Sequence, residues 1–255
     1  MNISKLPTRS AAAAAAAAPR LDLYAGIHKA LRALMADTLL ALGRMDADDA
    51  LELAQTSQRV LELLDFCTGH LQHENEFVHT AIEARAPGAS KMLAHEHAEH
   101  EQHIARLRHM VGDLLKTAAP QQAAAALEPR RAAVALALYR QLSLFIAENF
   151  HHMHLEETAH NTVLWSCYTD AELASIQDAL VASIPPQEMM YTLRWLIPFM
   201  NPGERTAMMA EMQAMVPAPA FAAALDAVRP HLSRTEWEKL VRSLGLATVP
   251  ELVSA

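Results

Sequence analysis

His70-Leu71-Gln72-His73-Glu74 sets a carboxylate four residues after an imidazole, and His152-Met153-His154-Leu155-Glu156 repeats the arrangement further along the chain. On a helix, residues four apart stand one turn apart on the same face. Each segment therefore aims one nitrogen donor and one carboxylate at a common point. Two such helices facing each other supply two neutral imidazoles and two carboxylates able to bridge. That is the donor set of a dinuclear metal centre inside a helix bundle. The two stretches together predict an all-α fold whose helices carry the chemistry.

The flanking pattern supplies the rest of a bundle. Tyr24, Ile27, His28, Leu31, Leu34, Met35, Thr38, Leu39 and Leu42 recur at steps of three and four, the apolar stripe of a first long helix. Asp46, Asp48 and Asp49 form an acidic connection able to cap the next helix. A second helix runs from Ala50 to about Ala86 and stops at Pro87-Gly88, with Leu53, Val60, Leu63, Leu64, Cys67, Leu71 and Phe77 facing inward. The third, about Ser90 to Thr117, turns Leu93, His97, His100, Ile104, Leu107, Val111 and Leu114 inward and leaves His95, His103 and His109 at the sides or outside. Pro120 to Pro129 reads as a linker. The fourth runs from about Arg130 to Trp165, with Leu138, Leu142, Phe145, Asn149, His152, Glu156 and His160 near one face. Short connections between four such helices predict an up-down-up-down bundle over residues 20–168.

Thr169 with Glu172 forms a capping box and opens a different region, residues 169–255, where shorter helices are punctuated by proline. Asn201 with Glu204 and Ser233 with Glu236 look like further caps. Methionines gather here (Met189, Met190, Met200, Met208, Met209, Met212, Met215), as core or as an adaptable contact surface. At the other end, Ala11 to Ala18 after Lys5 and Arg9 faintly mimics a signal peptide. Its core is alanine and Pro19-Arg20 follows, so residues 1–19 read as a low-complexity tail.

Composition agrees with helix and restricts function. The apolar share is 52% with only 7 glycines in 255 residues, which suits a packed helical chain. A net charge of −8 with both signs interspersed argues against a nucleic-acid surface. Cys67 and Cys167 follow no disulfide or CxxC spacing, which points to a reduced, cytoplasmic setting. No apolar run reaches the ~18 residues of a membrane span. No Gly-rich phosphate loop, GxSxG or HExxH pattern is present, so nucleotide and serine-hydrolase chemistry have no support.

Of 14 histidines, all but His231 fall between His28 and His160. One histidine on an apolar stripe is ordinarily a satisfied core residue. A glutamate buried beside Leu71 and Phe77 is another matter, because an unpaired carboxylate is almost never tolerated in an apolar core. Glu74 and Glu156 on inward stripes require cations, and His28, His70, His97 and His152 supply the remaining donors. His73, His79, His154 and His160 read as neighbours that hold the ligands, as a surface metal site, or as solvated surface. Glu157, Glu148 and Asp65 read as solvent-facing or as hydrogen-bond partners.

The chain resembles the hemerythrin-like family, the His-His-Glu cation-binding four-helix bundles. His28, His70-Leu-Gln-His-Glu74, Glu96-His97-Ala-Glu99 and His152-Met-His-Leu-Glu156 carry the likeness on the four helices. The resemblance implies a non-haem diiron centre. His28 and His70 would serve one iron, His97 and His152 the other, and Glu74 and Glu156 would bridge them. Zinc or manganese suits the same donors. Oxygen carriers of the family use five histidines, with HxxxH on the third helix and HxxxxD on the fourth. Here the third helix offers His97 and His100, three apart, and the fourth offers Glu156 before Glu157. His100 is thus a candidate fifth histidine; without it the centre is more open and resembles diiron proteins that repair nitrosatively damaged iron–sulfur clusters.

The implied function is to bind or sense O2 or NO, or to handle iron under oxidative or nitrosative stress. A diiron oxidase, peroxidase-like or repair enzyme is the second reading and calls for a proton donor near the metal, with Tyr24 and Trp165 as candidates. A third is a binding module with a structural metal, whose Met-rich helices recruit a protein partner or a second copy.

Overall fold

A computed structural model describes residues 20–117 and 124–246, which leaves the alanine-rich tail outside the described residues. Among these residues the chain is helical, without a strand. Four rods build the first part. They are α1 (Ala25–Arg44), α2 with its continuation α3 (Ala50–His73, Thr80–Arg85), α4 (Lys91–Lys116), and α5 with α6 (Ala124–Leu155, Asn161–Cys167). α1 packs on α2, α2 on α4, α4 on α5, and α5 returns to α1. The closed ring buries Leu31, Leu34, Leu63, Leu64, Leu107, Val111, Leu138 and Leu142 along one seam. His28 and His97 stand near the starts of α1 and α4, while His70 and His152 stand near the ends of α2 and α5, and all four meet at one level.

Local chemistry sets the boundaries. Asp49 caps α2 by accepting from the backbone N–H groups of Leu51 and Glu52 at 2.8 and 3.1 Å. After α3, Gly88 takes a φ of 86°, a left-handed conformation open to glycine. Glu83 braces that turn by accepting from Gly88 and Ser90. The fourth rod opens at Ala124 rather than Arg130, because the alanines placed in the linker are the strongest helix formers.

The second and fourth rods are not continuous α-helices. Each is interrupted by a π-helical turn that begins at a ligand candidate: Glu74–His79 in the second, Glu156–His160 in the fourth. A π-turn packs an extra residue into one turn and re-aims the side chains beyond it. The hydroxyl of Thr80 donates to the Asn75 carbonyl at 3.3 Å, five residues back, as the wider turn allows.

Beyond Cys167 come α7 (Asp170–Ser183), α8 (Pro186–Phe199), α9 (Pro202–Met215), α10 (Ala218–Val228) and α11 (Arg234–Ser243). Thr169–Glu172, Asn201–Glu204 and Ser233–Glu236 close as reciprocal capping boxes. α8 lies along α1, and one apolar core continues from the bundle through Leu193, Ile197, Met209, Phe221 and Leu240. Met200 and Met209 are buried, four of the other methionines are half-buried against this core, and Met215 is exposed. At the far end of the bundle, Leu173 of α7 joins Tyr24, Val78, Ile82 and Leu164 in a second cluster beside both π-turns. α7 thereby seals the end of the bundle next to the buried histidines.

Candidate metal centre

Six side chains from four rods converge in the bundle interior. Glu74 and Glu156 are 3% and 0% exposed, and none of their four oxygens accepts a hydrogen bond. Uncompensated, two such carboxylates would each cost several kcal/mol. Their oxygens divide between two donor groups. In the first, His28 Nε2 lies 3.5 Å from both Glu74 Oε1 and Glu156 Oε2, and His70 Nε2 lies 3.2 Å from Glu74 Oε1. In the second, His97 Nε2 lies 3.5 Å from both Glu74 Oε2 and Glu156 Oε1, and His152 Nε2 lies 3.1 Å from Glu156 Oε1. Donors bound at ~2.1 Å to one transition ion stand about 3.0–3.5 Å apart, so each group matches the spacing around a single ion. Each glutamate gives one oxygen to each group, the geometry of a bridging carboxylate.

The rings are oriented from behind. His97 Nδ1–H donates to Asn75 Oδ1 at 2.7 Å, His152 Nδ1–H to Glu96 Oε2 at 2.7 Å, and His28 Nδ1–H to Glu157 Oε1 at 3.0 Å. An acceptor at Nδ1 keeps the proton there and leaves the Nε2 lone pair facing the carboxylates, as metal-ligating histidines require. Glu157 also accepts from both terminal nitrogens of Arg32, at 2.6 and 3.1 Å. Burial opposes its charge, but the hydrogen bonds from His28 and Arg32 prevail and hold the Glu157 carboxyl down at about 2.

Without cations the site must hold protons. Burial disfavours charge on His28, yet its hydrogen bond to Glu157 and the nearby carboxylates of Glu74 and Glu156 raise the imidazole to about 9. His152 also rises to about 9, burial again being outweighed, here by Glu156 and Glu96. Burial and the neighbouring Glu156 charge raise Glu74, whereas His152 and His97 hold Glu156 well below the usual range against its own burial. His70 is pushed well down by burial and by the charge on His28, so it stays neutral.

His100 stands apart from both donor groups. Its ring meets His152 edge-on at 4.9 Å between centroids, and its Nδ1 is buried without a partner. Burial and the neighbouring His152 push it down to about 3. It lines a cleft of about 650 Å³ with Glu96, Glu99, His103, Glu148 and His151, which reaches the protein surface one residue away from His152. His103, expected at the side or outside, is buried and donates through Nδ1 to Glu148 at 3.0 Å.

The remaining histidines divide. His154 is exposed, and His73 is half-buried with Nδ1 4.0 Å from Glu188. His79 and His160 are buried beside the six donors. Trp165 donates its indole N–H to the Leu21 carbonyl at 2.8 Å and packs in the outer cluster. Tyr24 is 1% exposed, with its hydroxyl 3.2 Å from His160 Nδ1. Nothing marks Asn75 in the sequence beyond its place after Glu74, although it holds the His97 ring.

The profile of the hemerythrin HHE cation-binding domain matches residues 20–160. The chain belongs to that family, and its first four rods form the family's metal-cation-binding helical domain. No curated protein and no solved structure matches the chain.

Proposed function

We propose that the six converging residues hold a carboxylate-bridged pair of iron ions. His28 and His70 would serve one ion, His97 and His152 the other, and Glu74 and Glu156 both. The observation that carries this reading is the division of the glutamate oxygens, one to each pair of imidazoles, with no donor on any of the four. Three of the imidazoles also have Nδ1 engaged by an acceptor, leaving Nε2 for a cation.

Such a centre supplies an electron-rich, coordinatively open position to a small diatomic molecule such as O2 or NO. Each ion would be held by two imidazoles and two carboxylate oxygens, and these four donors would leave room for a small ligand. His100 is left as a polar group beside this position rather than as a fifth histidine ligand. The chain's part is to neutralise the ions with two buried anions, fix the ring tautomers, and keep bulk water out with α7 and the outer cluster. We read the protein as a cytoplasmic binder or sensor of O2 or NO, or a handler of iron under oxidative or nitrosative stress.

An enzymatic reading gains one specific support. Tyr24 is a buried phenol, raised well above its ordinary value by burial and by the charges of Glu74 and Glu156, and it can hold a proton beside the site. Elemental analysis and an optical spectrum of the reconstituted protein under air test the main reading. About two irons per chain with charge-transfer absorption are expected, since a stoichiometric site must fill; fewer than about one overturns the dinuclear assignment.

A further inference from the structure

His79 and His160 sit five and four residues after the two glutamates, and both are placed by the π-turns that begin there. His79 is 5% and His160 2% exposed. Neither ring nitrogen of His79 has a hydrogen-bond partner, and His160 Nε2 has none either. The rings meet edge-on at 5.2 Å between centroids, and His79 stacks on His97 at 4.7 Å. One donor atom from each of His79, His160 and Glu156 lies within 4.8 Å of the other two. Three buried ring nitrogens are thus left without a partner, and buried polar atoms are ordinarily satisfied.

We propose that His79, His160 and Glu156 form a third cation position, alongside the pair, for a divalent transition ion such as Fe2+, Zn2+ or Co2+. Two neutral imidazoles and one carboxylate suit such ions better than Mg2+ or Ca2+, which take oxygen donors. Glu156 has the capacity, because a carboxylate offers roughly four lone-pair sites and two cations do not exhaust them. Tyr24 stands behind His160 Nδ1 at 3.2 Å, where Asn75, Glu96 and Glu157 stand behind His97, His152 and His28. The position has three protein donors and shares its only anion, so it fills last and empties first. In a regular α-helix the residue five after Glu74 would face away from it; the extra residue in the π-turn brings His79 to the same side.

The test uses the full chain stripped by a chelator and loaded with Co2+ by equilibrium dialysis, with metal counted by elemental analysis and helix content checked by circular dichroism. The wild type is expected to take about three ions, the third bound most weakly, and His79→Ala about two, with the visible Co2+ bands of the tighter ions unchanged. His160→Gln, which keeps a polar side chain of similar reach, gives the same count if His79→Ala perturbs folding. Tyr24→Phe weakens only the last ion, by ~10–100-fold. A wild type that saturates at two ions, or variants that still take three, overturns the third position and leaves the dinuclear reading standing. A wild type that takes a single ion in all, and loses it on His79→Ala, keeps this position and removes the dinuclear reading instead.

Discussion

The Nε2 atoms of His97 and His152 face each other 2.9 Å apart, while the Nδ1–H of each ring is engaged by Asn75 or Glu96. Two lone pairs brought that close repel unless a proton or a cation lies between them. The same choice recurs throughout the centre, and it links metal binding to pH.

In the metal-free chain His28 and His152 sit at about 9, above the ordinary histidine value of 6.5. A raised folded-state value stabilises the fold fully below the unfolded value and ceases to do so as pH rises through the folded one. The stripped protein should therefore lose stability between about pH 6.5 and 9. Metal competes with those same protons, so its affinity should rise across that window, and loading at neutral pH should release about two protons per chain. Thermal unfolding of stripped and loaded protein across the range checks both, together with proton release into a weakly buffered solution. A stripped protein whose midpoint does not move from pH 6.5 to 9 contradicts the protonated site.

Glu74 and Glu156 each give an oxygen to both donor groups. Glu74→Ala or Glu156→Ala should therefore empty both positions rather than one. His109→Ala, at a side chain 75% exposed, should leave the metal count alone. Metal analysis of the three variants after identical loading decides the matter. A Glu74→Ala protein that keeps one tightly bound ion would show that the carboxylate serves one position only.

The helical periodicity and the two HxxxE segments made the four rods and the level of the six donors legible, because a stripe recurring every three to four residues has one inward face. The capping boxes at Thr169, Asn201 and Ser233 were legible for a similar reason, each being a local pattern. The π-turns were not, since adding one residue to a turn leaves no mark in hydrophobic spacing. Spacing alone therefore leaves His79 and His160 as neighbours that hold the ligands, as a surface metal site, or as solvated surface. Spacing places His103 at the side of its helix or outside, yet the fold buries it against Glu148 of the adjacent rod, a contact between distant segments that spacing within one helix does not reveal. Prolines bracket the alanines after Pro120 and make the stretch read as a linker, but their high helix propensity prevails from Ala124 onward.

Asn75 and Glu96 touch no donor oxygen of the centre but hold the rings of His97 and His152. Asn75→Ala and Glu96→Ala should each weaken metal binding by ~10–100-fold while leaving the number of ions unchanged. His100→Ala should leave both number and affinity nearly as they are, because His100 lies outside both donor groups. Competition against a chelator of known affinity measures all three. A fall in metal count in His100→Ala would restore His100 as a fifth histidine ligand.

Arg205 is 3% exposed and donates to the carbonyls of Ile197, Pro198 and Met200, closing the C-terminal end of α8. It also reaches Glu236 of α11 at 3.3 Å, so one guanidinium joins three helices of the C-terminal part. Arg205→Met keeps the stem but removes every donor, and each buried acceptor left unpaired costs ~1–3 kcal/mol. The loss should total at least ~2 kcal/mol. It should act on the whole chain, because α8 packs on α1 and the apolar core runs from one part into the other. In a Trp165→Phe background, denaturant unfolding followed by tryptophan fluorescence, which then reports on Trp195 and Trp237 in the C-terminal part, and by circular dichroism of the whole chain should show one coincident transition shifted to lower denaturant. Two separated transitions, with only the fluorescence one shifted, would mean that the C-terminal helices fold independently of the metal-binding bundle.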